Sequence, residues 1–276
     1  MLKTTMYLII SVSMLALFSC NNGENTEVKS EEIEDKVPDE SEDRDETENE
    51  ITLTKIESFA KFPDAKLMLK MPEKEMISAG ENQFQFGVEN YELKQQTSDA
   101  KEMGLANSAK GQHVHFIINN GPYGAKYDKE FTKDLPVGDH LMLAFLSRSY
   151  HMAVKNEHSY VLKKFRVGEP TEDQMMEVDF EAPHLFYSRP KGTYSGGDTK
   201  KVLLDFFLIN NDLAEDGNKV KATINGEEFT INDWAPYAIE GLPMGENTIS
   251  LQLVDSEGNY IEGPFNKVER TITLEQ

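Results

Sequence analysis

Beyond about residue 62 the chain alternates apolar and polar positions in short runs. "HVHFIINN" (113 to 120) puts Val114, Phe116 and Ile118 on one face, and "HLMLAFL" (140 to 146) does the same with Leu141, Leu143 and Phe145. Gly, Pro, Asn and Asp separate these runs. Period-two alternation over short, punctuated segments predicts half-buried antiparallel strands, and several of them within about 100 residues predict a β-sandwich. The pattern occurs twice. "FQFGVENYEL" (84 to 93) matches "LDFFLINNDL" (204 to 213), and "FIINNG" (116 to 121) matches "ATING" (222 to 226). "LPVGDHLMLAFL" (135 to 146) matches "LPMGENTISLQL" (242 to 253), and "MPEKEMISAG" (71 to 80) matches "RPKGTYSGG" (189 to 197). Each copy closes in a strand-like run, "SYVLKKFRV" (159 to 167) and "KVERTITL" (267 to 274). Four segments in one order mark an internal repeat. The expected fold is all-β, with two tandem antiparallel sandwiches over 62–170 and 183–276.

The N-terminus has a different pattern. Lys3 precedes the apolar run "MYLIISVSMLALF" (6 to 18), which is too short to span a bilayer but fits a signal-peptide core. The run ends in "LFSC", where Leu17, Ser19 and Cys20 resemble a bacterial lipobox. This resemblance implies a signal peptide over 1–19 and lipidation of Cys20, the chain's one cysteine. Several acyl chains on one residue give stable membrane attachment. A lipidated Cys20 also leaves no thiol for a disulfide. Residues 20–61 are expected to form a disordered stalk. Residues 21 to 50 hold fourteen Asp or Glu, three Lys or Arg and no aromatic residue, so they bury too little apolar surface to offset their ordering entropy. The Asn-rich, acidic stretch after the cysteine is similar to lipoproteins of the Bacteroidota, which implies a cell-envelope protein at the outer membrane, on its periplasmic or surface face. Formal net charge is −21, of which residues 21 to 50 carry −11. An acidic body repels phosphates and excludes nucleic acid as a partner.

"LPMGENTISLQLVDSEGN" resembles the penultimate strand of bacterial immunoglobulin-like domains. Leu242, Gly245, Asn247, Ile249, Leu251, Leu253, Asp255, Gly258 and Asn259 fill that pattern. The first copy keeps Leu135, Gly138, His140, Leu141, Leu143 and Phe145 but has "SRSYH" where the Asp and Gly-Asn would fall. The resemblance implies two immunoglobulin-like sandwiches and carries no function of its own.

The repeat supplies an internal control, because features found in one copy alone are the better functional candidates. Tyr127 and Trp234 fall at equivalent positions, so core packing is expected of both, rather than a sugar platform formed by Trp234 and Tyr237. His140 stands where the second copy has Asn247, which predicts a polar side chain bonded to a turn. His113, His115, His151 and His158 have no counterparts. In a sandwich, strand C (113 to 120) lies beside strand F (140 to 146), which brings His113 and His115 near "SRSYH" (147 to 151) and His158. His113 and His115 oppose Val114 and Phe116, so they read as the wet face of a strand bordering a loop-built site. The loop over residues 94 to 112 is at this end too, and long loops are often functional.

Three chemistries fit these residues. Imidazoles at i and i+2 can share a Zn or Cu ion, with His151 or His158 as a third ligand; this predicts convergence of His113 and His115 with a third imidazole. Recognition of an envelope protein, peptide or glycan, or of an anionic group gripped by Arg148 and stacked on Tyr150, predicts an open groove lined by those two side chains. "SRSYH" resembles the Ser-Arg…His signature of forkhead-associated domains, which bind phosphopeptides. It departs from that signature by one residue of spacing, and its Asn-Gly (Asn120, Gly121) comes before it. Catalysis predicts a serine within reach of a histidine, but the chain has no G-x-S-x-G, H-E-x-x-H or P-loop, so a non-enzymatic binding module is expected. "NNDLAEDGN" (210 to 218) lacks ligands where a calcium loop needs them and reads as a turn.

Overall fold

A computed structural model describes residues 50 to 276; the expected signal segment, Cys20 and the expected stalk up to residue 49 lie outside the described residues. The fold is all-β. The first half contains β1 (Thr52–Lys55), β2 (Lys66–Met71), β3 (Met76–Ile77), β4 (Gly80–Glu89), a one-turn helix α1 (Ala100–Met103), β5 (His113–Ile118), β6 (Gly124–Lys126), β7 (Glu130–Leu135), β8 (Gly138–Ser147) and β9 (Tyr160–Val167). The second contains β10 (His184–Arg189), β11 (Gly192–Ser195), β12 (Val202–Ile209), β13 (Lys219–Ile224), β14 (Glu227–Ile231), β15 (Tyr237–Glu240), β16 (Gly245–Val254) and β17 (Lys267–Glu275).

Sheet β2-β4-β7 faces sheet β3-β9-β8-β5-β6, and sheet β1-β15-β12-β10 faces sheet β11-β17-β16-β13-β14. Apart from β1, the strand order is the same in both pairs, down to the short parallel pairings β3–β9 and β11–β17. The face read for Val114 and Phe116 lies in the first core, whereas the core face of β8 is Met142, Ala144 and Leu146 rather than Leu141, Leu143 and Phe145. Phe84, Phe86, Val114, Phe116, Met142, Ala144 and Leu146 fill the first sandwich. Leu204, Phe206, Ile249, Leu251 and Leu253 are among those that fill the second. The equivalence of His140 and Asn247 holds atom for atom. His140 Nε2 donates to Pro136 O at 2.9 Å and Asn247 Nδ2 to Pro243 O at 2.9 Å, so each ties the start of its strand to the preceding turn.

Two expectations are corrected. The expected stalk, 20–61, does not extend to residue 61. Thr52–Lys55 pairs antiparallel with β15 of the second sandwich, and Ile51 and Leu53 pack on its core. Two apolar side chains and a free sheet edge are enough to order this segment, although the acidic run continues to Glu50. The second correction concerns the outer face of the β5–β8 sheet, which is not solvated. All ten residues of β8 are buried. Leu141, Leu143 and Phe145 form, with Ile117, Phe186, Phe207, Ile209 and Phe265, a third apolar cluster that joins the two sandwiches. The described residues, 50 to 276, accordingly fall in one compact unit. Apolar runs without alternation, "HLMLAFL" and "VLLDFFLI", are what strands covered on both faces require.

The loop between β4 and β5 is folded rather than open. Asp99 accepts hydrogen bonds from Ser58 Oγ, from the Phe59 and Ala60 amides and from Tyr150 Oη, at 2.8–3.0 Å. Burial opposes ionisation of Asp99, but donors from Ala60, Ser58 and Tyr150 outweigh it and hold the carboxyl below its usual value. The loop thus clasps the segment that leads from β1 to β2.

Candidate metal centre

The polar residues on the joined face gather at one point. His113 and His115 are both fully buried, on the side of β5 that faces the second sandwich. They are two residues apart on one strand, so both rings project from the same face. His151 reaches them from the turn after β8, where hydrogen bonds from Arg148 N to Met152 O and from His151 N to Arg148 O close the chain on itself. His151 has φ of 69°, in the left-handed region, which costs backbone energy in any residue but glycine. His113 Nε2 lies 3.0 Å from His115 Nε2 and 3.1 Å from His151 Nδ1. One ligand nitrogen from each of the three falls within 4.8 Å of the others.

The surrounding bonds fix the rings. His113 Nδ1 is 2.8 Å from Gly111 O, and a carbonyl can only accept, so Nδ1 carries the proton and Nε2 presents a lone pair to the centre. His115 Nδ1 meets Ser188 Oγ at 3.0 Å. Ser188 comes from β10 of the second sandwich, at a register shift between Tyr187 and Arg189, and a bulge of this kind re-aims a side chain. The Tyr123 ring stacks on His115 at 3.5 Å and 8°, and its hydroxyl lies 3.2 Å from His151 Nδ1. The Tyr127 ring closes the other side, 4.9 Å from His113.

The electrostatics keep the imidazoles neutral. Burial, with help from the Arg189 and Lys191 charges, lowers His113 from 6.5 to about 4 against the opposing Gly111 bond. Burial also holds His115 and His151 well below their ordinary values. Neutral imidazole is the form that ligates metals. Protons alone serve this arrangement poorly. If His115 and His151 both donate, they share one His113 lone pair; if either does not, two lone pairs face each other at about 3 Å.

The other sequence candidates lie elsewhere. His158 is exposed and outside the cluster; its carbonyl accepts from Leu67 N at 2.8 Å. Tyr150 is fully buried and donates to Ser58 and Asp99, so it lines no groove. Arg148 is buried too, with its guanidinium turned to the Ala60 and Ala153 carbonyls. Neither candidate serine reaches a histidine: Ser147 Oγ donates to Arg148 O, and Ser149 Oγ accepts from Thr97 N. Ser188 does reach one, but it is fully buried, and the far nitrogen of His115 meets His113 instead of a carboxylate. A nucleophile needs access and an oriented base, and this pair has neither. Trp234 packs edge-on against Phe207 and donates to Phe206 O at 3.0 Å, which confirms its packing role.

Tyr123, Ser188, Arg189 and Lys191 were not singled out by sequence. For Tyr123 a signal existed, since the matching stretch of the second copy, residues 227 to 233, holds no tyrosine. Ser188 is 73 residues from His115 and had none.

No protein-family model matches the chain, and no curated protein matches it in sequence. Among solved structures it is similar to fibronectin(III)-like modules of Clostridium thermocellum CbhA, with 12% identity over 76% of this chain and 94% of that one and a TM-score of 0.27. It is also similar to SGBP-B of the Bacteroides ovatus mixed-linkage glucan utilization locus, solved with a mixed-linkage heptasaccharide (10% identity, 76% and 70% coverage, TM-score 0.24). A third match is the two tandem V-type regions of the chitin-binding protein VCBP3 (8% identity, 77% and 99% coverage, TM-score 0.23).

Proposed function

We propose that this chain is a lipid-anchored cell-envelope protein, tethered through Cys20 by an acidic stalk, whose body binds one Zn or Cu ion through His113, His115 and His151. The observation that carries the reading is the convergence of three neutral imidazole nitrogens, 3.0 and 3.1 Å apart across His113. A tetrahedral ion with metal–nitrogen bonds of about 2.0–2.1 Å spaces its donors about 3.3–3.4 Å apart; the two pairs through His113 reach that spacing with a few tenths of an ångström of opening, and all three nitrogens lie within 4.8 Å of one another. His113 and His115 have the outer-shell partners that orient ligating histidines, a backbone carbonyl and a hydroxyl. Imidazole donors without carboxylate suit Zn and Cu over Ca or Mg. His151 is the half-buried member, and the ion enters past it.

The anchor is the untitratable part of the reading and is tested by mass. The mature N-terminal peptide should carry diacylglyceryl on Cys20, and Cys20→Ser should release the protein from membranes. The site is tested with Co2+ as a spectroscopic stand-in for Zn2+. Intense visible bands of a tetrahedral, nitrogen-ligated ion should appear at one equivalent and vanish in His115→Gln. A pale octahedral spectrum, identical in the variant, would refute the site.

A further inference from the structure

A second group of buried charges lies in a cavity of about 390 Å³, within the range of about 300–1,000 Å³ that small-molecule sites occupy. Three stretches form it: residues 55 to 63 after β1, the turn residues 148 to 156, and residues 233 to 236. Phe62 and Trp234 supply aromatic walls, Arg148, Lys155 and Lys61 supply cations, and Glu57 and Asp233 are the lining carboxylates. The other lining cation, Lys55, pairs with Asp233.

The charges in this cavity do not balance. Arg148 is 7% exposed. Its Nε and Nη2 donate to Ala60 O at 3.2 and 2.8 Å, and Nη1 donates to Ala153 O at 2.8 Å. Among the described residues no carboxylate pairs with it. Three of its five N–H groups are used, all on neutral acceptors. The fully buried carboxylate Asp205 is occupied elsewhere: Oδ1 lies 2.8 Å from Lys155 Nζ, and Oδ2 accepts from Ala153 N at 2.7 Å. Burial pulls the Lys155 ammonium below its ordinary value despite Asp205, and the Arg148 charge adds to that. Two buried cations therefore share one carboxylate. A buried charge is costly unless paired, and arginine cannot escape the cost by losing its proton. This surplus of positive charge sits in a body that is acidic overall.

We propose that the cavity is a second binding site, for a ring-bearing organic carboxylate of monosaccharide size. The carboxylate meets Arg148 between Lys155 and Lys61, and the ring lies against Trp234 and Phe62. The ligand's charge completes the pairing that the fold leaves open. Trp234, packed on one edge by Phe207 and with Lys155 Nζ 5.3 Å from its ring centroid, borders the cavity and gives the ligand's ring an aromatic neighbour beside a cation. This site shares no ligating residue with the histidine cluster, so either can fail without the other.

Trp234 is the chain's one tryptophan and reports on the site. The purified chain is titrated with sodium glucuronate, sodium benzoate and neutral glucose at constant ionic strength, reading Trp234 fluorescence and then calorimetry. The expected result is a saturable response to at least one carboxylate and none to glucose. The carboxylate that saturates distinguishes an acidic sugar from an aromatic acid as the natural class. Kd should weaken about tenfold in Arg148→Lys, which loses the planar fork. It should weaken severalfold in Lys61→Glu. Lys61 is exposed, so that variant keeps the fold and carries the test even if Arg148→Lys does not fold. No saturable response to either carboxylate at millimolar concentration, an equal response to glucose, or an unchanged Kd in Lys61→Glu would overturn the proposal.

Discussion

Burying three neutral histidines makes the protein labile to mild acid, and the size of the effect follows from the site. Unfolded, each imidazole titrates near 6.5. Folded, burial holds His113 at about 4 and keeps His115 and His151 well below 6.5. Below 6.5 the unfolded chain therefore binds protons that the folded protein refuses. Stability is full above the unfolded value and falls as pH drops toward the folded one. Integrated from pH 7 to pH 5, a histidine held at about 4 costs about 2 kcal/mol, and His115 and His151, shifted in the same direction, add to the loss. Most domains have only about 5–15 kcal/mol in total. Asp139, held well below its usual value by the Arg166 guanidinium, loses its contribution only at lower pH and does not blur this window. The assay is urea unfolding of chelator-treated protein at pH 7 and pH 5, followed by Trp234 fluorescence. His115→Gln removes one titrating group while keeping a polar side chain toward Ser188. It should shrink the loss between the two pH values by about 2 kcal/mol. Losses within about 0.5 kcal/mol of each other in wild type and variant would refute the neutral, buried state of His115.

Other perturbations separate the parts of the structure. Asn120 donates to the Leu185 and Phe265 carbonyls and accepts from Tyr187 N, all in the second sandwich, so Asn120→Ala should cost roughly 2–4 kcal/mol by denaturant melt. Ser188→Ala, which strips the outer-shell partner of His115, should weaken metal binding about 10–100-fold in a competition titration while leaving its stoichiometry unchanged. Deleting residues 50 to 55 removes β1 and the contacts of Ile51 and Leu53, and should lower stability by about 1–3 kcal/mol and expose the edge of β15 to hydrogen exchange.

The strand order was legible because the repeat gave each element twice. The pairing of β5 with β8, and the turn bonds of His140 and Asn247, follow from period-two alternation and the shared Leu-Pro-x-Gly. What alternation cannot say is which sheet faces meet a second sheet. His113 and His115 were correctly placed on one face and wrongly left to solvent. The correcting signal lay in neighbouring strands, whose apolar runs at β8 and, broken only by Asp205, at β12 need cover on both sides. Arg148 and Tyr150 sit in a loop that looks exposed in sequence. Their inward turn depends on Ser58, Ala60 and Asp99, residues 51 to 92 positions away. Ser188 was illegible for the same reason, since partners across the joint between sandwiches leave no local pattern. The pairing of Thr52–Lys55 with the second sandwich was hidden behind a run of acidic residues that stops just short of it.

The most direct measurement is titration of Zn2+ and of Cu+ into the purified, chelator-treated chain beside the His113→Ala, His115→Ala double variant, with bound metal counted after gel filtration. The account predicts one equivalent retained by the wild type with at least one of the two ions, and none by a variant whose circular dichroism still shows the folded β-protein. Equal retention by both proteins, or none by either, would contradict it and leave the three histidines as a polar joint between two sandwiches.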